Sequence, residues 1–280
     1  MGSPPSAGPF ISFLTDFGPD GPAATCRGVM LSIAPQARIL DIAHSVRKYA
    51  IRDGAFQLWS VLPYVPVGVH LAVVDPGVGT ARLPVAIRAG RGDILVGPDN
   101  GLLVPAARRL GGIEAARALE NDALMLPNRS STFHGRDMFA PVAAHLAAGR
   151  SFDDVGPPVD PAALVDLRFP EPRVAEGRLE TAIVFIDTFG NVVLAGEPPD
   201  LTAAVGPLQP GARLDLAFGA DRNGSVRQSA TWQQTFGAVP EGSPLVYENS
   251  SGQLAFADNR GNAATRLGLQ VDRPVTITSA

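Results

Sequence analysis

The chain has 280 residues, 45% of them hydrophobic and 18% charged, with a formal net charge of −4. That length suits one large domain or two ordinary ones, and the composition supports a buried core and excludes a disordered chain. No Lys/Arg cluster marks a nucleic-acid surface, no apolar run reaches the length of a membrane span, and the single cysteine, Cys26, excludes an internal disulfide and a cysteine metal cage. The cytoplasm is the expected location.

Residues 1–9, "MGSPPSAGP", lack the basic and apolar regions of a signal peptide and read as a loose tail. From residue 10 the pattern alternates. "FISFLTDFG" reads as a buried strand, and "AATCRGVMLSIAP" as a helix stopped by Pro35. "ARILDIAHSV" is a strand, "KYAIRDGAFQLWSVLPYV" has helical periodicity, and "GVHLAVVDPG" is a strand again. "LPVAIRAG" and "GDILVGPDNG" read as two further strands. "GLLVPAARRLGG" and "GRDMFAPVAAHLAAGR" read as helices, each closed by glycine. Strands alternating with helices predict an α/β domain over 10–165 with a mainly parallel sheet. Ligands of such sheets gather beyond the carboxyl ends of strands, and Asp16, Asp41, Asp75 and Asp99 each stand where an apolar run ends. From Pro157 to Arg178 the chain is proline-rich and irregular, and residues 166–178 read as a linker. Over 179–280 the segments are short and alternating, which predicts an all-β, barrel-like domain with tight turns.

Three stretches carry candidate chemistry. In "VVDPGVGTAR" a buried strand runs into Asp75, a glycine turn and then Arg82. Asp before Pro-Gly also starts turns well, so the stretch alone leaves both readings open. In "TFHGRDMFAP", His134 precedes a helical pattern, where the positive helix end favours a neutral ring. Capping or packing is the plainer role for His134, and Arg136 with Asp137 reads as a surface pair. In "LTDFG", Asp16 ends the first strand, where a carboxylate can hold a ribose diol. The four histidines are scattered without metal-ligand spacing, so no metal or other cofactor is expected.

Taken in order, "TDFG", "VVDPGVGTAR", "GPDNGLL", "TFHGRDMFAP", "IDTFGN" and "NSSG" followed by "NRGNAA" resemble the S-adenosylmethionine hydroxide adenosyltransferase family, over about Phe10 to Ile277. That family is related to fluorinating and chlorinating enzymes that attack the same substrate. The resemblance implies an N-terminal α/β domain, a C-terminal β-barrel-like domain, and a homotrimer or pair of trimers. In that assembly the active site lies between the first domain of one subunit and the second domain of its neighbour. The implied reaction is attack of water on the ribose C5′ of S-adenosylmethionine, giving adenosine and methionine. The family's catalytic Asp, Arg and His fall on Asp75, Arg82 and His134.

The implied binding residues are Asp16 for the ribose diol, Asp187 for the methionine ammonium and Ser250 for the methionine. Asn191, Phe236 and the backbone of Ala264 or Ala263 would meet the adenine, and Tyr49 would line the pocket. In the halogenating relatives the position of Asp75 is not an acid and that of Gly135 can carry a serine, so Asp75 and Gly135 here imply water rather than halide. A halogenase, a non-catalytic binding module and a metal-dependent phosphohydrolase built on Asp16, Asp75, Asp99 and His134 are the rival readings.

Overall fold

The computed structural model describes residues 8–221 and 224–280, and most of the expected tail (residues 1–7) lies outside them. The chain divides into two compact units, 1–168 and 169–280.

In the first unit, strands β1 (Phe10–Thr15), β2 (Arg38–Ala43), β3 (Val69–Val73), β4 (Pro84–Ala89), β5 (Ile94–Pro98), β6 (Ile113–Ala118) and β7 (Pro158–Val159) form one sheet in the order β2-β1-β3-β5-β4-β6-β7. The β1–β2, β1–β3 and β3–β5 pairs are parallel. The β4–β5, β4–β6 and β6–β7 pairs are antiparallel. The sheet is therefore mixed, which corrects the expected mainly parallel one. The reason is local. Only residues 90–93 join β4 to β5, and a parallel pair needs a crossover of about a dozen residues or more. β6, "IEAARA", had no signature as a strand because Ala, Glu and Arg favour helix; pairing with β4 overrides that preference.

Alternation along the strands sends side chains to two faces. Ile11, Phe13, Leu71, Val73 and Val96 pack with helices α1 (Pro22–Ile33) and α4 (Ala140–Ala147) in one buried cluster. On the other face lie α2 (Ile51–Val61) and α3 (Val104–Arg109). There Gly54 of α2 approaches so closely that a Cβ on it would meet Leu102 at 2.8 Å and Val74 at 3.1 Å. Also buried are Ser12, His70 and Asp93: Ser12 Oγ lies 2.8 Å from His70 Nδ1, and His70 Nε2 lies 2.8 Å from Asp93 Oδ1. Arg91 donates from Nε to Asp93 Oδ2 (2.7 Å) and from its terminal nitrogen to Oδ1 (2.9 Å).

The second unit is a closed barrel with two short helices, α5 (Pro198–Val205) and α6 (Ala263–Leu267). Its strands are β8 (Arg173–Ala175), β9 (Arg178–Ile186), β10 (Val192–Leu194), β11 (Arg213–Asp221), β12 (Gly224–Trp232), β13 (Pro244–Glu248), β14 (Leu254–Asp258) and β15 (Pro274–Ser279). The ring runs β9-β10-β14-β13-β12-β11-β15 and back to β9, and β8 extends it beside β9. Phe218, Phe256, Leu216, Val246 and Ile277 fill its interior.

Candidate active site

The loops after β1, β2 and β3 and the segment entering α4 line a cavity of about 240 Å³ in the first unit. Asp16, Tyr49, Asp75 and His134 line it, together with Phe17 and Lys48. Asp99 and Asp41 are absent from its lining. Burial raises the carboxyl pKa of Asp99, which accepts from the backbone N–H of Val165 (2.9 Å). Asp41 lies inside β2 rather than at its end, paired with Arg27 (2.9 Å) and His44 (3.1 Å).

The glycine turn after Asp75 brings Arg82 back onto it. Thr80 donates its backbone N–H (3.1 Å) and its hydroxyl (2.7 Å) to the carbonyl of Gly77, and Gly79 takes φ +78°. Arg82 Nε then donates to Asp75 Oδ1 (3.1 Å) and Oδ2 (2.9 Å), and a terminal nitrogen donates to Oδ2 (2.5 Å). Asn100, from "GPDNGLL", donates to the carbonyl of Val74 (2.9 Å) and so anchors the strand end beside Asp75.

His134 completes the group through Arg82, not through Asp75. The same terminal nitrogen of Arg82 lies 2.9 Å from His134 Nδ1. A guanidinium has only donors, so Nδ1 accepts and the ring proton sits on Nε2. Burial lowers the pKa of His134, and the neighbouring Arg82 cation lowers it further, both of which favour the neutral ring. The positive end of the following helix favours the same neutral state. His134 directly precedes a π-helical turn, Gly135–Phe139, which runs into α4. Arg136 does pair with Asp137 (2.6 and 2.9 Å), but Asp137 is buried rather than on the surface. Asp137 also accepts from the backbone N–H of Ser130 (2.7 Å), which ties down the loop leading to His134.

Asp16 Oδ2 accepts the backbone N–H of Tyr49 (2.9 Å), and Tyr49 holds φ +67°, a left-handed conformation uncommon for a bulky residue. Phe17 and Phe133 meet edge to face (5.6 Å between ring centres), and a Cβ on Gly135 would lie 2.9 Å from Phe17.

The remaining predicted residues gather in the second unit. Asp187 is held inside its own turn: Oδ1 accepts from the backbones of Phe189 and Asn191 (2.9 Å each), and Oδ2 from the Asn191 side chain (2.8 Å). Phe236 packs on Tyr247 with ring centres 4.8 Å apart. Tyr247 was not singled out from the sequence, where it reads only as an apolar position of β13. Its hydroxyl pKa is pushed up to about 12 by burial and by the charge of Asp187. Ser250 is exposed in the turn between β13 and β14. Ala264 donates its N–H to the carbonyl of Gly190 (3.1 Å), and its carbonyl accepts from Leu269 (2.8 Å). Both backbone groups of Ala264 are thus engaged within the unit.

Residues 11–156 match the SAM hydroxide adenosyltransferase N-terminal domain, and residues 181–276 match the C-terminal domain of the same family. The chain belongs to the SAM hydroxide adenosyltransferase family. A protein of Salinispora tropica named (R)-S-adenosyl-L-methionine hydrolase is 44% identical over 272 residues, 97% of this chain and 98% of that protein. One of the same name from Thermus thermophilus is 40% identical over 278 residues, covering 95% and 98%. More distant relatives include a fluorinase of an Actinoplanes species, 32% identical over 304 residues and covering 99% and 100%. Among solved structures of the family's fold, a conserved protein from Thermotoga maritima matches with TM-score 0.86 at 33% identity, covering 95% of this chain and 99% of its own.

Proposed function

We propose that this enzyme hydrolyses S-adenosyl-L-methionine to adenosine and L-methionine, and that water attacks the ribose C5′ under the control of Asp75, Arg82 and His134. The observation that carries the reading is the Arg82 guanidinium bound at once to Asp75 and His134, both of which line an open cavity. Its relatives of 40–44% identity bear the hydrolase name.

The leaving group needs no acid, because the sulfonium becomes a neutral thioether as it departs. Water is what needs help, with a pKa near ~15.7 in bulk. Asp75 Oδ2 takes two donations from Arg82, whereas Oδ1 takes one long one and keeps a lone pair for the nucleophile. As the C–O bond forms, the water proton passes to Oδ1 and then to solvent. His134 is not the base in this arrangement. Its Nδ1 lone pair is committed to Arg82, and its Nε2–H can only donate, which suits orienting the water oxygen. Asp75 disfavours a halide, since two anions at contact repel each other in a partly desolvated site. Phe17 and Phe133 close the space beside Gly135. S-adenosylmethionine is the substrate, and no cofactor enters the reaction.

Asp16 would hold the ribose diol and Tyr49 would line the pocket. Asp187, Asn191, Phe236 and Ser250 would contact methionine and adenine, Tyr247 would brace them, and Ala264 or Ala263 would meet the adenine edge. The two sets fall in different compact units, and the assembly the family resemblance implies is a homotrimer or pair of trimers with each site shared between neighbours. A cytoplasmic location belongs to the same reading.

The test is turnover in oxygen-18 water with product identification. Adenosine labelled at its 5′ oxygen is expected, undiverted by molar chloride. If 5′-chloroadenosine is the main product, or no nucleoside forms, the reading is wrong. Mixing inactive Asp75→Ala and Asn191→Ala chains should regenerate some activity through hybrid sites; a fully active monomer in sedimentation would rule out the shared site.

A further inference from the structure

Of the 23 lysines and arginines in the chain, 22 are arginines; Lys48 is the single lysine, and it stands in the wall of the candidate active-site cavity. Among the described residues it is the one cationic side chain in that lining, since Arg82 is outside it and is committed to Asp75 and His134. Among the described residues Lys48 takes part in no hydrogen bond or ion pair, and its side chain is exposed.

Its backbone, by contrast, is held on both sides. On one side Arg47 is fixed to buried Asp53 of α2 by two hydrogen bonds, 2.5 and 3.0 Å long. On the other side, the N–H of Tyr49 is bound to Asp16 in the cavity wall. A positioned backbone thus carries an uncommitted ammonium at the cavity, on a long stem that can follow a ligand.

Resting on the hydrolase reading above, we propose that Lys48 binds the carboxylate of the amino-acid end of the substrate. S-adenosylmethionine brings two positive charges, on sulfur and on the amine, and one negative charge, on the carboxylate. An unpaired ammonium in the wall would oppose such a ligand as a whole. Paired with the carboxylate, it removes that opposition and sorts substrates by whether they carry the acid group. Asp16 and Asp75 cannot take the carboxylate, being acids themselves, so Lys48 is the group in this cavity whose charge suits it. Lys48 acts on binding, apart from the reacting carbon, which makes it a specificity-determining residue for the hydrolysis.

The experiment compares S-adenosylmethionine with its decarboxylated analogue in the parent and in Lys48→Ala and Lys48→Arg. With the full substrate, Lys48→Ala should raise KM roughly three- to tenfold, as loss of a partly exposed charged hydrogen bond does, with kcat within about twofold. Lys48→Arg should recover most of the loss. With the decarboxylated analogue, the parent and Lys48→Ala should share one KM. An unchanged or lowered KM for the full substrate in Lys48→Ala overturns the proposal, as does an equal rise with both substrates.

A second readout needs no turnover. Acetylating reagents meet one side-chain amine in this chain besides the α-amine, and peptide mapping by mass spectrometry separates the two. S-adenosylmethionine should shield Lys48 from acetylation and the decarboxylated analogue should not; equal labelling of Lys48 with either overturns the proposal. A parent that forms no adenosine would defeat the hydrolase reading, and the shielding result would still decide whether Lys48 receives the carboxylate.

Discussion

Two clusters in the first unit use the same residue types to opposite ends. Asp93, Arg91 and His70, with Ser12, are knit together inside the sheet; Asp75, Arg82 and His134 meet at a cavity. In the inner cluster the histidine bridges serine and carboxylate, so both ring nitrogens are used and the aspartate accepts from two side chains. Ser12, His70 and Asp93 have no exposure to solvent. In the outer cluster the arginine is the bridge. Among the described residues, that leaves Nε2–H of His134 and a lone pair on Asp75 Oδ1 without partners. A set resembling Ser, His and Asp by composition is therefore structural, and the set suited to chemistry is the one left incompletely satisfied beside space for a ligand. Satisfied polar networks stiffen a fold, whereas unsatisfied groups at a cavity are free to bind.

The comparison breaks or sharpens under four substitutions. The largest effect is expected from Asp75→Asn, which keeps shape and turn chemistry but removes the basic oxygen. The chemical rate should fall roughly 10²–10⁴-fold with thermal stability nearly unchanged. A single-turnover rate within threefold of the parent would reduce Asp75 to a turn residue, since asparagine serves turns equally well.

Asp93→Asn should reverse the pattern. Taking away one partner of a buried ion pair costs about 3–5 kcal/mol, so chemical denaturation should show a large loss while the folded protein keeps its kcat. The pH dependence follows from the same carboxylate. Burial opposes its charge, but hydrogen bonds and charge from His70 and Arg91 outweigh that and hold its pKa well below the usual range. The stability it contributes is then fully present above the unfolded value, about 3.9, and is lost as pH falls toward the lower folded value. Asp93→Asn should flatten this acid dependence; an unchanged acid profile would count against the network.

Ser12→Ala leaves His70 Nδ1 buried without its hydroxyl partner and should cost about 1–3 kcal/mol, with KM and kcat unaltered. A kinetic defect in the folded Ser12→Ala protein would show that the two clusters communicate. The smallest signal concerns the activity that survives Arg82→Ala. The Arg82 cation helps to lower the pKa of His134, so its removal should move the histidine back up toward its ordinary value. A charged ring would set a further cation beside the sulfonium of the substrate and oppose its binding, so activity should be lost as pH falls through that pKa, and the acid limb should move to higher pH. A limb that stays put or moves down would show that His134 does not set it.

Much of this was legible in the chain itself. Two compact units, an α/β unit and a β unit, follow from the switch between alternating strand–helix patterns and short alternating strands. Asp16 and Asp75 stand out as candidates because polar groups at strand ends collect ligands, and Arg82, His134 and Tyr49 join them because several motifs in a fixed order resemble one family. Lys48 also carried a signal, its uniqueness, that only its place in the cavity wall made meaningful.

Tertiary structure decided the rest. Local pattern does not record which strands pair, so β6 went unread and the sheet proved mixed rather than mainly parallel. Nor does sequence spacing tell which of three polar groups bridges the other two. Arg82 and His134 are 52 residues apart, and only folding shows that the guanidinium occupies Nδ1, which is why the proposed mechanism gives the role of base to the carboxylate. The burial of Asp137 and the engagement of both backbone groups of Ala264 are likewise contacts between distant segments. Periodicity and turn chemistry act over a few residues, so the sequence could determine the elements and the residue types at their ends. Hydrogen-bond partners, and the protonation states that depend on them, arise only where remote parts of the chain are brought within about 3 Å of each other.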